Sequence, residues 1–311
     1  MKTIATTLPI PRRLAESFGV RCVTLRAELH AVAEARVYEE RGERVLSLRN
    51  APPTVKGAVG LVELRGISAA LCPTSGDIVD FPAALSCLEP GCRVIPLSVV
   101  PNDTARTEAG ISSAFESIAG AAAAPSSLDL VGSRLAELQR RQLAGAFPSG
   151  EWHRFLLDVV RGAVQGLPIE DESGRSRARV AVMGYLAGFP DLPLLIEALG
   201  GRVVYDEWLQ LAAELVLASE PARSVAQSPL CLGFGARSRR LHEIMEEVDA
   251  VILITEPFCS LALEEAWLRD AVRRPLLVLE SESLAPLDAT RRLRLENFAS
   301  MAFARRTGGT S

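Results

Sequence analysis

The feature that most constrains the fold is an apolar run at residues 249–255, which is rich in Val and Ile and bounded by Asp249 and Pro257. A short run of this kind suits a central strand of a parallel sheet, because such strands are buried on both faces. Successive parallel strands need crossover connections, which are usually helices. The run therefore predicts that helices and further strands surround it.

Strand-like and helical runs do alternate along the chain. This alternation is typical of doubly wound α/β architecture, so we predict two Rossmann-like or flavodoxin-like domains with parallel sheets and a helical connecting region. The predicted strands are residues 21–26, 67–72, 93–98, 179–183, 202–205, 251–255 and 276–279. The predicted helices include residues 11–18, 55–64, 78–88, 104–122, 128–146, 152–164 and 238–248.

Two breaks in the pattern predict the domain boundaries. Residues 121–127 are small and interrupted by proline, and residues 168–177 carry charge and Gly without apolar periodicity. We expect an N-terminal α/β domain at residues 1–125, a helical connector and linker at 126–177, and a C-terminal α/β domain at 178–311. A chain of 311 residues is long enough for two hydrophobic cores.

Composition predicts a cytoplasmic protein with ordinary globular character, since 48% of residues are hydrophobic and 23% are charged. The net charge of -4 and the lack of a basic patch with interleaved aromatic residues argue against a nucleic-acid partner. No segment has the length of a membrane span, and the first ten residues lack the apolar core of a secretory signal. Six unevenly spaced cysteines favour reduced thiols.

Cys259 follows the apolar run and precedes a predicted helix that Ser260 can cap. Ligands of open α/β sheets collect beyond the carboxyl ends of the strands, and the positive end of a helix dipole favours a thiolate there. The alternative is that Cys259 is a small buried hydrophobe at a strand–helix corner. Glu256 is the nearest acid, and it either tunes the thiol or transfers protons, or else accepts a hydrogen bond from a loop.

Three further features have both a functional and a structural interpretation. Residues 233–237 form either an anion-binding glycine turn or a connector, and residues 184–188 form either a substrate-binding turn or a plain strand–helix turn. Arg237, Arg239 and Arg240 either meet CoA phosphates or are ordinary surface charges.

The remaining chemistry-bearing residues favour structural roles. Cys231 lies near a predicted strand end, where it either belongs to a site or is buried in the core. His30, His153 and His242 fall in separate predicted helices without metal-ligand spacing, so we interpret them as residues of solvated helix faces.

A longer pattern resembles one family. Phe258-Cys259, the helix at 261–272, the strand at 274–281 and the closing Arg294-Leu-Glu-Asn-Phe298 occur in the order found in 2-hydroxyacyl-CoA dehydratase and benzoyl-CoA reductase subunits of the 2-hydroxyglutaryl-CoA dehydratase D-component type. Residues 8–20 are similar to the opening helix of that family. Residues 179–184 and 196–206 are similar to the entry into its second domain.

The resemblance implies an iron–sulfur cluster held by three cysteines, the last of which matches Cys259. The first belongs to a Cys-Pro step, where this chain has Pro52. The second belongs to a Cys-Asp step, where this chain has Gly76 before Asp77. Cys72 lies four residues earlier and substitutes only if the loop folds differently. Because a cubane needs thiolates at its irons, a standard cluster site is not expected, and the alternative is that the chain binds no cofactor.

The resemblance also implies an activity and partners. Family members reduce a 2-hydroxyacyl-CoA to a ketyl radical and eliminate water, using an electron from an ATP-hydrolysing activator, in anaerobic metabolism. Three hypotheses remain open for this chain: a lyase subunit, a non-catalytic scaffold in a homo- or heterodimer, and an acyl-CoA-binding module without redox chemistry. Cys259 is the expected cluster ligand if a cluster is present, with Cys72 and Cys231 as secondary candidates.

Overall fold

The computed structural model describes residues 2–31, 35–47, 50–74, 80–88, 90–118, 129–184, 189–257, 265–266, 268–269 and 272–303. Within these ranges the chain contains two four-stranded sheets, and every strand pair is parallel. The predicted α/β class with two doubly wound parallel sheets is confirmed. Among the described residues, no helix is long and apolar enough to cross a membrane.

The first half of the chain forms a sheet with the strand order β2-β1-β3-β4 and the helices that pack around it. Its elements, in chain order, are β1 (Lys2–Thr6), α1 (Arg12–Ser17), β2 (Val20–Thr24), α2 (Leu25–Ala31), α3 (Ala35–Leu46), α4 (Pro53–Leu64), β3 (Ala69–Pro73), α5 (Asp80–Ser86), β4 (Arg93–Leu97) and α6 (Thr104–Glu116). Two connecting helices follow, α7 (Asp129–Leu143) and α8 (Ser149–Arg161).

The second sheet has the order β6-β5-β7-β8, which repeats the topology of the first. Its elements are β5 (Ala178–Gly184), α9 (Leu192–Ala198), β6 (Gly201–Asp206), α10 (Glu207–Val216), α11 (Pro221–Gln227), α12 (Pro229–Leu232), α13 (Phe234–Ile244), β7 (Ala250–Thr255), β8 (Leu276–Glu280) and α14 (Ala289–Ala302). All four strands predicted for this half are confirmed, and β7 is buried along its whole length as expected of a central strand.

The packing follows from the pattern of apolar residues. Each face of the second sheet carries its own hydrophobic cluster, one beneath α9 and α14 and the other beneath α13. Asp249 fixes the start of β7, because its carboxylate accepts a hydrogen bond from the backbone N–H of Arg179 at 2.7 Å. The three central helices α3, α4 and α8 pack into the core of the first half.

The structure corrects the prediction for the first half in two places. Strand β1 was not predicted, yet it lies between β2 and β3 in the sheet. The strand predicted at 21–26 ends at Thr24, and α2 begins at the next residue and contains His30, which was expected to lie in a helix. Helix α3 was absent from the prediction. In the second half, the helix predicted at 238–248 begins earlier, at Phe234, and ends at Ile244.

Candidate functional site between the two sheets

The end of β7 meets the start of α4 at a buried hydrogen bond. The hydroxyl of Thr54 donates to the carboxyl of Glu256, with 2.5 Å between Oγ1 and Oε2, and both residues are buried. Thr54 lies two residues after Pro52, which precedes α4 as its N-terminal cap and is itself buried. The fold therefore joins two of the segments in which the resemblance places cluster cysteines.

Arg26 connects this contact to the start of α5. Its guanidinium lies 5.6 Å from the ring centroid of Phe81, in the helix that follows residues 75–79. The same guanidinium acts electrostatically on Glu256. Gly76 and Asp77 lie outside the described residues. Arg26 thus links Glu256 to Phe81, the second residue of α5.

Glu256 is a buried acid whose protonation changes near neutral pH. Burial raises its pKa to about 7, since the interior disfavours the charged form. The hydrogen bond from Thr54 and the positive charge of Arg26 act in the opposite direction, and the negative charge of Glu39 raises the pKa further. A carboxyl group in this state can both donate and accept a hydrogen bond, which makes it suitable for proton transfer.

Glu39 makes a second contact between the halves. Its carboxylate accepts a hydrogen bond of 2.7 Å from the backbone N–H of Leu284, in the loop after β8. The side chain of Leu284 belongs to the hydrophobic core of the first half and approaches α4 closely: a Cβ on Gly57 would lie 2.5 Å from its Cδ1. Gly57 thus permits the close approach of this loop to α4.

Two candidate cluster ligands, Cys72 and Cys231, lie among the described residues. Cys72 is buried in β3, and burial raises the pKa of its thiol to about 12, so that the thiol is protonated at neutral pH. Cys231 is buried in α12 within the core of the first half. Within the described ranges, no three His, Cys, Asp or Glu residues are arranged to hold a metal. Pro52 and Thr54 carry no thiol with which this segment could ligate a cluster.

Cys259, the main predicted cluster ligand, lies outside the described residues together with Phe258. Its role as a cluster ligand stays a prediction, as do those of Cys72 and Cys231. Sequence reasoning identified Cys259 and Glu256 but missed Thr54, Arg26 and Glu39. Their positions in the sequence could have identified two of them. Arg26 lies two residues after a strand end and Thr54 lies at the start of a helix, and both are common places for site residues in α/β proteins.

Of Arg237, Arg239 and Arg240, one has a surrounding that neither predicted role describes. Arg237 is buried, not a surface charge, and its guanidinium donates to Glu207 with Nη2–Oε2 and Nε–Oε1 distances of 2.7 and 3.1 Å. The carboxylate of Glu207 also accepts from the backbone N–H of Gly184 at 3.0 Å. Gly184 has a φ of +83°, and a Cβ there would lie 2.1 Å from the carbonyl oxygen of Ile254. A glycine is therefore required at this turn.

The other two arginines are more exposed. Arg240 pairs with Glu214 and Glu243 at 3.4 and 3.1 Å, and Arg239 is exposed. Both border a groove of about 570 Å³ whose floor is formed by apolar residues of α7, α10 and α12. The two glutamates balance the charge of the two arginines, so this groove has no clear preference for phosphate.

His30 and His153 also differ from expectation, whereas His242 is exposed on α13 as predicted. His30 is buried, not solvated, and its ring lies 5.6 Å from the ring of His153 and 5.8 Å from that of Trp208. His153 contacts the carboxylate of Asp206, with 3.1 Å between Nδ1 and Oδ2. Burial lowers the pKa of His30 well below its usual value, so its imidazole is neutral. This cluster joins α2, α8 and the end of β6.

The two parallel sheets have the same strand order, and polar residues lie between the ends of their strands. The chain is therefore a two-domain α/β protein. The sequence profile of the 2-hydroxyglutaryl-CoA dehydratase, D-component, family matches residues 137–302, more than half of the chain. The chain belongs to this family. No curated protein matches the sequence significantly. The matched region runs from within α7 to the end of α14 and so includes Glu256 and Cys259, whereas Pro52 and Gly76 lie before it.

Proposed function

We propose that this chain is a 2-hydroxyacyl-CoA dehydratase-type subunit that holds no iron–sulfur cluster of its own and works beside a second, cluster-bearing subunit. Membership of a dehydratase component family supports a multi-subunit setting. The observation that carries the proposal is the Thr54–Glu256 hydrogen bond, because it joins the segments at Pro52 and Cys259 through protein groups alone. An acyl-CoA is the expected ligand of the assembled subunits, and an ATP-dependent activator the expected electron donor.

Iron and acid-labile sulfide, measured on protein purified without oxygen and then incubated with iron and sulfide, test the proposal. Wild-type protein and the variants Cys259→Ala and Cys72→Ala are compared. We expect all three to contain the same small amount of iron. About four irons per wild-type chain, lost in Cys259→Ala, would overturn the proposal and favour a lyase subunit with a cluster of its own.

The partner is tested by co-expression with a family subunit that retains three cluster cysteines. We expect the two chains to co-purify in equal amounts, with all iron on the partner. Recovery of this chain alone, without iron, would contradict the paired arrangement and favour an acyl-CoA-binding module. Thermal stabilisation of the isolated chain by an acyl-CoA would then support that alternative.

A further inference from the structure

A small cavity lies at the outer edge of the first sheet, between the edge strand β2, helix α1 and the end of α8. Its volume is about 270 Å³, somewhat below the roughly 300–1,000 Å³ of most ligand pockets, so a small molecule suits it best. None of its described lining residues belongs to the candidate site between the two sheets. Part of the wall is apolar and consists of Ile10, Ala15, Val20, Val160 and Val216.

The backbone of β2 offers hydrogen-bonding groups to this cavity. The strand pairs with β1 in a parallel register that places Val20 opposite Lys2, and the N–H of Lys2 donates to the carbonyl oxygen of Gly19 at 3.2 Å. Because alternate residues of a parallel strand bond to the same neighbour, the backbone groups of Arg21 face β1 and those of Cys22 face away from it. Cys22 lines the cavity, so its outward N–H and C=O are placed to pair with a ligand.

The comparable edge of the second sheet is covered by side chains. On β6, the N–H of Val203 donates to the hydroxyl of Ser149 at 3.0 Å, and its C=O accepts from the side chain of Gln142 at 2.6 Å. In the described part of the chain, no such bond reaches the outward backbone groups of Cys22. This edge of the first sheet therefore meets the cavity with open hydrogen-bonding positions.

The cavity also carries an excess of positive charge. Three guanidinium groups and one carboxylate line it, those of Arg12, Arg21, Arg161 and Glu16. Arg161 pairs at 3.0 Å with Glu28, which is not part of the lining, but Glu28 also pairs with Arg65 at 2.7 Å. Two carboxylates therefore balance only two of the four arginines. This excess favours a ligand with a carboxylate, because guanidinium groups match the geometry of that anion.

Glu16 supplies an acceptor in the same wall. Its residue is 9% exposed, and its Oε1 accepts a hydrogen bond from Arg12 at 2.6 Å. Arg12 also donates to the carbonyl oxygen of Gly162 at 2.8 Å, so this pair has a fixed place. Glu16 Oε2 has no hydrogen-bond partner among the residues that the structure describes. Since a buried polar atom without a partner is costly, a donor on a ligand would stabilise this wall.

We propose that this cavity binds a small α-amino acid with an apolar side chain. The ammonium group of the ligand donates to the carbonyl oxygen of Cys22 and to Glu16, and its carboxylate accepts from the N–H of Cys22 and from Arg21. A donor and an acceptor on one carbon atom match the C=O and N–H of a single strand residue, as in a hydrogen-bonded pair of antiparallel strands. The ligand side chain contacts the apolar wall. The site is independent of the proposed function, because it uses neither a cluster nor a partner subunit.

Isothermal titration calorimetry of the full chain, with L-valine as the probe, tests the class of ligand. We expect L-valine to bind more tightly than L-valinamide, which lacks the carboxylate, and than 3-methylbutanoate, which lacks the amino group. Each difference should be about tenfold, the effect of losing a charge-assisted hydrogen bond. Equal binding of L-valine and either analogue would overturn the proposal, as would the absence of binding at millimolar L-valine.

Variants of three charged residues test the place of binding. Arg21 is exposed, so Arg21→Gln should keep the fold and weaken the binding of L-valine by about threefold, as for an exposed ion pair. Arg93, which is exposed at the start of the other edge strand, β4, provides the matched control, and Arg93→Gln should bind L-valine as wild type does. Glu16→Gln should weaken the binding of L-valine but not that of 3-methylbutanoate. Equal affinities of Arg21→Gln and Arg93→Gln for L-valine would overturn the assignment to this cavity.

A measurement on the wild-type chain avoids any effect of substitution on folding. Hydrogen exchange of the backbone N–H of Cys22, followed by NMR, should slow when L-valine is added, because the carboxylate of the ligand accepts from this group. L-valinamide at the same concentration should leave the exchange unchanged. Exchange at Cys22 that L-valine does not alter would contradict pairing at the edge of β2.

Discussion

Two buried carboxyl groups lie at the strand ends of the second sheet, and they are held in different ways. Glu207, after β6, is paired with the guanidinium of Arg237 and accepts a backbone hydrogen bond from Gly184. Glu256, after β7, receives a hydroxyl hydrogen bond from the opposite half of the chain, and the positive charge of Arg26 also acts on it. The same residue type at the same edge of one sheet therefore serves two purposes.

The difference shows how the second half is organised. The Glu207–Arg237 pair joins α10 to α13 and keeps the N-terminal end of α13 against the sheet, so its contribution is structural. The Glu256–Thr54 contact joins the two halves, and its carboxyl takes up or releases a proton near neutral pH. A buried guanidinium thus pairs with the first carboxylate, whereas burial raises the pKa of the second.

The largest effect is expected from Arg237→Met, which leaves Glu207 as a buried charge without its cation. We expect the free energy of unfolding to fall by about 3–5 kcal/mol, because an uncompensated buried charge is costly. Urea denaturation measures the change. Arg240→Met is the matched control, since Arg240 is half-exposed and its pairs should contribute no more than about 1 kcal/mol. Equal effects of the two substitutions would remove the distinction between buried and surface arginines.

A smaller effect with a defined pH dependence is expected from Glu256→Gln. The pKa of Glu256 is higher in the folded protein, about 7, than its ordinary value of 4.5. Its contribution to stability is therefore fully present below pH 4.5 and is lost as the pH rises through 7. At pH 8 the variant should be more stable than wild type by about 3 kcal/mol, the value of a shift from 4.5 to about 7. At pH 4.5 the advantage should disappear. A difference that does not change with pH would show that Glu256 does not titrate as described.

The second sheet could be predicted from the sequence because its central strands are largely apolar runs. The run at 250–255 is apolar up to its last residue, Thr255, and β5 is nearly so. Strand β1, Lys-Thr-Ile-Ala-Thr, has no such signal: two of its five residues are exposed, and its place in the sheet depends on pairing with β2 and β3. Helix α2 begins without a turn after β2, so its start was interpreted as strand.

The site was predictable only in part. A strand that ends at Thr255 identifies Glu256 and Cys259 as neighbours of a ligand-binding edge, because that inference needs local sequence alone. Thr54, Arg26 and Glu39 come from three separate helices, and only the tertiary fold brings them towards Glu256. The burial of Arg237 has the same origin, because its partner Glu207 lies thirty residues earlier. Local patterns do not reveal such distant pairings.

The contact between Thr54 and Glu256 is tested most directly by a double-mutant cycle in iron-free protein. Thr54→Val, Glu256→Leu and the double variant are compared with wild type by urea denaturation at pH 5.5, where Glu256 is protonated. We predict a coupling free energy of about 1 kcal/mol, as for a buried hydrogen bond between neutral groups. Strict additivity of the two substitutions would contradict the contact and, with it, the view that protein groups alone join the two halves at this site.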